Sequence, residues 1–356
     1  MEQEIVLLGA GYAGIAFLDT VIPELTADVR ITVIDRLPFH GIKPEFYSLA
    51  SGSANEEAVK SPFPQHSQVT YLQDEIEEIQ IAHHKVICGT REVPFTHLIV
   101  ALGSIDHYFN VPWAEEFTES IQTFAGAMKA RGSVAKLQED AHVAIIGGGL
   151  SGGEFAADLR EQFPKLRITI LERSESILPT LPVKLHTYVH NYLEDQNIQI
   201  LTGIQVTLVE QGFVHYAFQE HPISFDLCCW AAGIKPNPVA NPLLAYSNGD
   251  KMNRILVKDT YELPYLNDVF VIGDCCSSPF APSAQLAAIQ GKQLASYFIA
   301  LWHNREYNPA PVKLKGVLGY LGKKKGFGMI NENVIVGKLP NIIKSGILWL
   351  HKHHMG

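Results

Sequence analysis

The chain has 356 residues, of which 47% are hydrophobic and 18% are charged, and its formal net charge is −9. This length predicts two or more domains, and the ordinary composition is that of a soluble globular protein. No apolar run reaches the roughly 18 residues that span a bilayer. We expect no secretory signal, because an acidic N-terminus leads directly into a predicted strand.

The cysteines and the charge distribution narrow the class of protein further. The five cysteines form no CxxC pair, which favours a reducing cytosol over a disulfide framework. From Pro311 onward the chain has eight lysines against one glutamate, which is a net charge of +7. Since the whole chain has a net charge of −9, the residues before Pro311 have a net charge of −16. The asymmetry predicts a tail directed at an anionic surface, and we expect no nucleic-acid partner.

The first element is a strand followed by a glycine-rich turn and a helix, in the stretch EIVLLGAGYAG at 4–14, with the helix predicted to run to about Ala27. In this pattern Gly9 permits the tight turn, Gly11 lets the backbone approach a pyrophosphate and Gly14 lets the helix pack close to the strand. The pyrophosphate would lie at the helix N-terminus, where free N–H groups favour an anion.

The same pattern recurs at 142–163, HVAIIGGGLSGGEFAADLREQF, with Gly147, Gly149 and Gly152 in the equivalent places. A repeat of the whole unit is far less expected by chance than either copy alone. We therefore predict two dinucleotide sites, the alternative being one degenerate copy that is kept for its fold.

Each unit ends its second predicted strand in an acid. Asp35 lies 21 residues after Gly14, and Glu172 lies 20 residues after Gly152. An acid there favours the free ribose hydroxyl of NADH over the 2′-phosphate of NADPH. Arg173 could instead accept a phosphate, or it could be a solvated surface charge. Two nucleotides in one chain indicate electron transfer, for which flavin plus nicotinamide is the usual pair.

The rest of the chain predicts short strands and one long helix. Residues 69–103 predict a β meander, and residues 198–230 predict further short strands. A buried strand ends at Gly273 and Asp274, and a helix is predicted from about Ala284 to Trp302. Asp274 could hydrogen-bond a sugar-like hydroxyl, or it could be a helix N-cap.

Taken together, these residues resemble the two-dinucleotide-binding-domain flavoproteins, and most closely the type II NADH dehydrogenases. The resemblance reaches to about Gly337 and rests on GAGYAG (9–14), LIVALGS (98–104), GGGLSGGE (147–154), WAAGIKPN (230–237), VFVIGD (269–274) and AQLAAIQG (284–291). It implies an α/β fold with two Rossmann-like dinucleotide-binding domains, for FAD and NADH, and a short C-terminal α/β tail. The implied domains are an FAD domain at 1–112 and 234–310, an inserted NADH domain at 113–233, and a hairpin with an amphipathic helix at 311–356.

The resemblance also implies functional residues. Those implied to bind the cofactors are Gly9, Gly11, Gly14, Asp35, Gly103, Gly147, Gly149, Gly152, Glu172, Gly233, Gly273 and Asp274. Asp274 would hydrogen-bond the ribityl chain of FAD. Glu154 would be a proton donor near the junction of nicotinamide and flavin, and Gln285 would lie over the flavin and the quinone pocket. The alternative for Glu154 is an acid stabilised by its helix N-terminus. No metal is expected.

The sequence departs from the family pattern in its glutamines and its cysteines. Ile289 stands where the family carries a second glutamine, and Gln290 lies one residue further on, which puts the quinone pocket in doubt. The segment FHGIKPEFYSLASG at 39–52 lacks the CxxxxC pair of related disulfide reductases, so a dithiol relay is excluded. Sulfide:quinone reductases are also similar, but no cysteine lies between Cys88 and Cys228 to serve as their redox pair. Cys275 and Cys276 are expected to be packing residues.

The tail predicts a hairpin at 313–337 and then an amphipathic helix. One lysine of 323–325 would line the quinone site, or the run would be a solvated basic turn. The helix has its apolar residues at helical spacing, with Asn341, Lys344 and Ser345 opposite them. It suits an interfacial helix on an anionic membrane. The alternatives are a helix docked on the protein itself or on a second subunit of a homodimer. The tail is shorter than in the family, so we expect weak or reversible membrane binding.

We therefore predict an FAD-dependent NADH dehydrogenase that passes a hydride from NADH to flavin and then electrons to a quinone, without proton pumping. We expect it in the cytoplasm, peripheral on the inner face of the cytoplasmic membrane. Two alternatives stay open: an NADH-dependent flavoprotein reductase with a non-quinone acceptor, and an NADH-binding flavoprotein redox sensor with little turnover.

Overall fold

The structure, a computed structural model, describes residues 2–354. The α-helices in this range are α1 (Tyr12–Val21), α2 (Phe46–Ser51), α3 (Ala114–Phe117), α4 (Phe124–Val134), α5 (Leu150–Gln162), α6 (Val183–Asp195), α7 (Ala284–Trp302) and α8 (Lys338–His354). Helix α1 ends at Val21 and not near Ala27 as predicted. Pro23 lies in the 3-10 turn that follows, and because proline has no N–H it cannot donate the backbone hydrogen bond that would continue the helix.

The first sheet consists of five parallel strands. In spatial order they are Val269–Val271, His97–Val100, Gln3–Leu8, Val29–Asp35 and Val69–Gln73. The central strand, Gln3–Leu8, leads into the first glycine turn, and the strand order reverses beside it. A parallel sheet opens a crevice at the carboxyl end of its strands where the order reverses, and this is where such sheets bind ligands.

The second sheet repeats this arrangement with strands from the middle of the chain. In spatial order they are Glu119–Ser120, Leu227–Trp230, His142–Ile146, Arg167–Leu171 and Ile198–Leu201, again all parallel. The strand that leads into the second glycine turn, His142–Ile146, is central, as in the first sheet. The α/β class with two Rossmann-like sheets is thereby confirmed.

The other strands form small antiparallel sheets. They are Glu78–Gln80, Lys85–Cys88 and Arg91–Pro94; Val206–Glu210, Phe213–Tyr216 and Ile223–Ser224; Ser104–Asp106 with Ile234–Pro236; His40–Gly41 with Lys60–Ser61; and Gly316–Leu321, Lys325–Ile330 and Asn333–Gly337. The predicted meander at 69–103 is therefore wrong at both ends. Its first and last strands are apolar runs that join the parallel sheet, and only the middle three are antiparallel.

The C-terminal tail packs into the core of the second unit. Leu321 and Phe327 of the last antiparallel sheet are buried in one cluster with Phe155 of α5. Phe46 and Leu49 of α2 belong to the same cluster, although they follow the first unit in sequence. The segment after Asp35 and the tail therefore both meet the second unit at α5.

Helices α1 and α7 cross at Gly291. A Cβ added there would overlap the carbonyl oxygen of Ala13 and lie 3.0 Å from the amide nitrogen of Phe17. Because both neighbours are backbone atoms, the crossing distance requires glycine. We expect Gly291→Ala to lower the free energy of unfolding by about 1–3 kcal/mol, through overpacking.

The matched control is Gly132→Ala, at an exposed position of α4 where no described atom lies within 4 Å of the added Cβ. Relief of the helix penalty of glycine should raise its stability by up to about 1 kcal/mol. Denaturant unfolding of both variants measures the difference, and changes of equal sign would contradict the tight crossing.

Candidate functional site

The two glycine turns have the same geometry. Gly9 has a φ of +96° and Gly147 a φ of +112°, a backbone conformation that side chains rarely allow. A Cβ at Gly14 would collide with the carbonyl oxygen of Gly9, and a Cβ at Gly152 would collide with that of Gly147. The first helix of each unit is therefore pressed against its own turn, and only glycine fits at that contact.

The middle glycines have free space beside them instead of a close contact. Gly11 and Gly149 are the N-cap residues of α1 and α5, and neither helix has an acidic side chain in its first turn. A Cβ at either glycine would meet none of the described atoms within 4 Å. Each helix N-terminus, with its unpaired N–H groups, therefore faces an open space that a side chain would fill. This cradle fits the pyrophosphate of a dinucleotide.

The two acids also occupy equivalent places. Asp35 accepts hydrogen bonds from Ala10 N at 2.7 Å and Leu37 N at 2.8 Å. Glu172 accepts equivalent bonds, both 2.7 Å long, from Gly148 N and from the amide two residues after itself. Burial raises the pKa of Asp35, and the two N–H donors oppose this shift. Each carboxylate ties the turn to the end of the second strand, and it keeps lone pairs for a ribose hydroxyl.

Asp274 lies in a polar cluster beside the first crevice. It accepts a hydrogen bond from Ser104 Oγ at 2.7 Å, and Lys43 Nζ lies 3.2 Å from the same hydroxyl. The N-cap of α7 is Ser283, whose hydroxyl accepts from Leu286 N at 3.2 Å. The helix N-cap alternative for Asp274 is therefore wrong.

The two glutamines of α7 have different partners. The buried side chain of Gln290 accepts a hydrogen bond from Gly273 N at 2.7 Å, whereas that of Gln285 accepts one from Lys315 N at 3.1 Å. Gln290 thus holds the turn that carries Asp274, and its side-chain oxygen is committed to that contact. This role lay outside the sequence prediction, because it depends on a turn 17 residues away.

Gly103 and Gly233 follow equivalent strands of the two sheets. Gly103 has a φ of +67°, and its carbonyl oxygen accepts a bond from Cys275 Sγ at 3.0 Å. Gly233 lies under the ring of Phe109, where an added Cβ would be 2.8 Å from a ring carbon. Arg173 is exposed, with its guanidinium 5.7 Å from the centre of the same ring. All five cysteines are free and buried.

Glu154 is buried on α5, where it meets the C-terminal tail. Its Oε1 accepts a hydrogen bond from Tyr320 N at 2.8 Å and forms an ion pair with Lys344 Nζ of α8. Burial raises the pKa of Glu154, and Lys344 opposes the shift. Because α5 begins at Leu150, Glu154 lies beyond its first turn, so the helix N-terminus is a poor account of its stabilisation.

The cation at Glu154 comes from the tail helix, and not from the run 323–325, one lysine of which was predicted to line the quinone site. In that run, Lys323 N donates to Glu161, and Lys325 Nζ lies 5.0 Å from the centre of the Tyr192 ring. The signal for Lys344 was present, since it is the lysine on the polar face of an otherwise apolar helix. Nothing local indicated that this face turns inward.

Helix α8 docks on the body through its polar face. Lys344 is buried, and Asn341 Nδ2 donates to the carbonyl oxygens of Gly322 and Lys325. Several large apolar side chains on the other side are exposed: Leu339, Ile342, Ile347, Trp349 and Leu350. The helix is therefore docked on its own chain with its apolar stripe outward.

Within residues 2–354, no group of three or more His, Cys, Asp or Glu side chains is arranged to hold a metal ion. In the same range, no helix combines the length and apolar character that crossing a bilayer requires.

Comparison with known proteins places these features in a family. The family model described as pyridine nucleotide-disulphide oxidoreductase matches residues 3–292. The NADH dehydrogenase-like protein YutJ of Bacillus subtilis is 39% identical and aligns over 99% of this chain and all of its own. A type II NADH:quinone oxidoreductase of Staphylococcus haemolyticus is 26% identical over 97% of this chain and 94% of its own.

A solved structure shares the fold. NDH2 from Plasmodium falciparum in complex with NADH superposes with a TM-score of 0.86 at 17% identity, over 100% of this chain and 97% of that one. At this identity the likeness establishes the fold alone.

The Glu154–Lys344 pair is open to a double-mutant test. Lys344→Met leaves Glu154 buried without a cation, and Glu154→Gln leaves Lys344 with only the more distant Glu45 at 4.0 Å, so each should destabilise the docking of α8, by up to about 3 kcal/mol. The double variant should recover most of that loss, because neither charge remains. Amide hydrogen exchange in residues 338–354 measures this local opening. Additive losses in the double variant would contradict the pairing.

Proposed function

This chain belongs to the pyridine nucleotide-disulphide oxidoreductase family, and from that membership we propose that it is an FAD-dependent NADH dehydrogenase that reduces a quinone without pumping protons. The observation that carries the proposal is the pair of equivalent cradles, with the buried acid Glu154 on the helix of the second. We propose the domains as 1–112 with 234–310 for FAD, 113–233 for NADH and 311–356 for the tail.

FAD is assigned to the first unit because its crevice is walled on both sides. His40, in the segment after Asp35, donates a hydrogen bond to the carbonyl oxygen of Ala10 in the glycine turn, with the atoms 3.0 Å apart. Asp274 and Ser104 close the other side. Gly11 would admit the pyrophosphate, Asp35 the ribose, and Asp274 the ribityl hydroxyls. An enclosed site suits a cofactor that stays bound through turnover.

NADH is assigned to the second unit. Gly149 would receive its pyrophosphate at the N-terminus of α5, and Glu172 its ribose hydroxyl. Glu172 favours NADH over NADPH because a 2′-phosphate would meet a carboxylate. The exposed position of Arg173 supports its role as a surface charge.

FAD, when bound, supplies the two-electron chemistry between nicotinamide and acceptor. The chain itself contributes position and a proton. The two cradles fix both dinucleotides relative to one another, and such positioning accounts for several kcal/mol of a barrier. Glu154 is buried beside Lys344, and burial raises the pKa of its carboxyl while Lys344 opposes the shift, which suits a group that exchanges a proton during turnover. Gln285 would border the acceptor at the N-terminal end of α7.

One observation favours a second candidate, in which the acceptor is not a quinone. Ile289 stands at the position of the second family glutamine, and the adjacent Gln290 is committed to Gly273 N. The acceptor pocket therefore has one polar group fewer than the family pattern.

The test is an anaerobic two-step mixing experiment. NADH added to the flavin-loaded protein should bleach the visible flavin band, and a short-chain quinone should restore it rapidly. Gly11→Val should fold yet lose its flavin, because the added side chain fills the cradle without touching the fold. Gly149→Val should keep its flavin and bleach at least about tenfold more slowly at limiting NADH, as expected for a lost binding contact.

Each result decides between the candidates. Bleaching without quinone recovery moves the acceptor elsewhere. If oxygen, ferredoxin and a soluble dye also fail to restore the flavin band, the redox sensor is favoured. No bleaching in a flavin-loaded protein would remove NADH as the donor, and a yellow Gly11→Val protein would overturn the assignment of the first unit.

We further propose that α8 holds the protein on the inner face of the cytoplasmic membrane. Its apolar stripe is exposed, with Ile342 at 65%, while its polar face is committed to the protein. An outward apolar face beside a basic tail suits an anionic bilayer surface. A homodimer through the same stripe is the competing arrangement.

The double variant Leu339→Ser/Ile342→Ser should weaken binding to anionic vesicles by at least about tenfold, since each buried side chain contributes about 1.5–3 kcal/mol. NADH-to-dye activity should be unchanged, because Lys344 stays in place. The control Phe218→Ser/Tyr265→Ser removes two exposed rings elsewhere and should bind like the wild type. Equal vesicle binding by both double variants would reject the membrane helix, and loss of a dimer in solution would favour the homodimer.

A further inference from the structure

A second buried carboxyl shares the lysine that pairs with Glu154. Glu45 Oε1 lies 4.0 Å from the same Lys344 Nζ that forms the ion pair with Glu154. The side chains of Glu45, Glu154 and Lys344 are only 20%, 7% and 9% exposed. The three groups come from the segment after the first unit, from α5 of the second unit, and from the tail. The fold therefore gathers two carboxyls around one ammonium.

The charges of this trio do not balance when all three are ionised. Two carboxylates and one ammonium leave a net charge of −1 in a largely buried place, which is unfavourable. Glu45 Oε1 is buried and has no hydrogen-bond partner in the described part of the chain. Burial raises the pKa of Glu45 to about 7, where Lys344 lowers it and Glu154 and Asp158 raise it further. One bound proton removes the imbalance.

The other titratable groups around the trio do not supply this balance. Those that face it are Asp158 on α5, Tyr12 on α1, Tyr47 on α2 and Tyr320 on the first strand of the tail sheet. Burial raises the pKa of each tyrosine, so all three stay neutral near pH 7. Burial raises the pKa of Asp158 as well, and hydrogen bonds that its Oδ2 accepts from the hydroxyls of Ser51 and Ser53 oppose this shift.

We propose that Glu45 and Glu154 share one proton across Lys344, and that this pair supplies the proton that quinone reduction needs beyond the hydride. The inference rests on the proposed function. A quinone takes up two electrons and two protons to become a quinol. NADH provides both electrons and one proton as a hydride and leaves as NAD⁺. The pair donates the second proton and then recovers it from water. Glu45 is a positioning residue, since it acts through Glu154: a second carboxyl beside Lys344 favours keeping one proton on the pair.

The direct test is infrared titration of the flavin-loaded protein, which follows the C=O stretch of protonated carboxyls. The wild type should lose one such band with a midpoint near pH 7, a property of the pair and not of either acid. In Glu45→Gln the like charge is gone, so Glu154 alone with Lys344 should titrate at least about one unit lower. The control Glu57→Gln removes an acid that is 83% exposed and should leave the midpoint unchanged.

Absence of the band in the wild type, or an unchanged midpoint in Glu45→Gln, would overturn the sharing. Lys344→Met provides a second variant should Glu45→Gln lose its flavin. Removing the shared cation should move the midpoint up by about one unit or more. A midpoint that stays in place in this variant would equally reject the arrangement.

The quinone step should follow the same titration. Because the protonated pair is the donor, flavin recovery by quinone should slow as the pH rises through the midpoint. A downward shift of one unit lowers the protonated fraction at pH 7 from about one half to about one tenth, so Glu45→Gln should recover about fivefold more slowly. The rate of flavin bleaching by NADH should not change, whereas a general structural defect would slow both steps.

The two proposals fail in different ways. A titrating band without any quinone recovery would overturn the quinone function and leave proton sharing in place. Fast quinone recovery without a titrating band would support the function and overturn the shared proton.

Discussion

The contact between each glycine turn and its own helix sets the positions on which the rest of the molecule depends. A side chain at Gly14 or Gly152 would collide with the carbonyl oxygen of the turn, so the helix axis can approach the end of the central strand only where glycine stands. That approach brings the helix N-terminus to the mouth of the crevice and leaves Gly11 and Gly149 facing open space. One steric constraint, met twice, thus produces two anion cradles at equivalent places in two sheets.

A different interaction decides how the tail lies on this frame. An amphipathic helix would ordinarily bury its apolar stripe, yet α8 buries its polar face. The Glu154–Lys344 pair accounts for the inversion, because a lysine is buried in a protein only where an opposite charge and hydrogen bonds compensate it. Were the helix rotated to bury Ile342, Lys344 would leave Glu154 uncompensated inside the second unit. The same orientation of α8 therefore exposes the apolar stripe and buries Lys344. The surface proposed to meet a membrane thus lies on the helix that also supplies the ion-pair partner of Glu154.

The sequence was most informative where structure is local. Helices α5 and α7, the central strands and the two acids follow from periodicity, glycine spacing and strand ends, all of which lie within about 30 residues. It was least informative where partners are distant. The roles of Gln290 and Lys344 depend on a turn or an acid 17 and 190 residues away. The meander failed for the same reason, since whether an apolar run joins a parallel sheet or a hairpin depends on which strand it meets.

Because the two units are equivalent, their acids alone do not indicate which dinucleotide each unit binds. Asp35 and Glu172 make the same pair of backbone bonds, so neither carboxylate distinguishes a resident flavin from an exchangeable nicotinamide nucleotide. The difference lies in what surrounds each cradle. At the first, His40 of segment 39–52 is hydrogen-bonded to the turn and the Ser104–Asp274 pair follows two strands of the same sheet, whereas the ring of Phe109 beside Gly233 of the second unit is exposed. Enclosure slows the departure of a ligand, and an open edge permits one to leave every turnover. In the proposed assignment, the distinction between a resident flavin and an exchangeable nicotinamide nucleotide therefore rests on the segments around the repeat and not on the repeat itself.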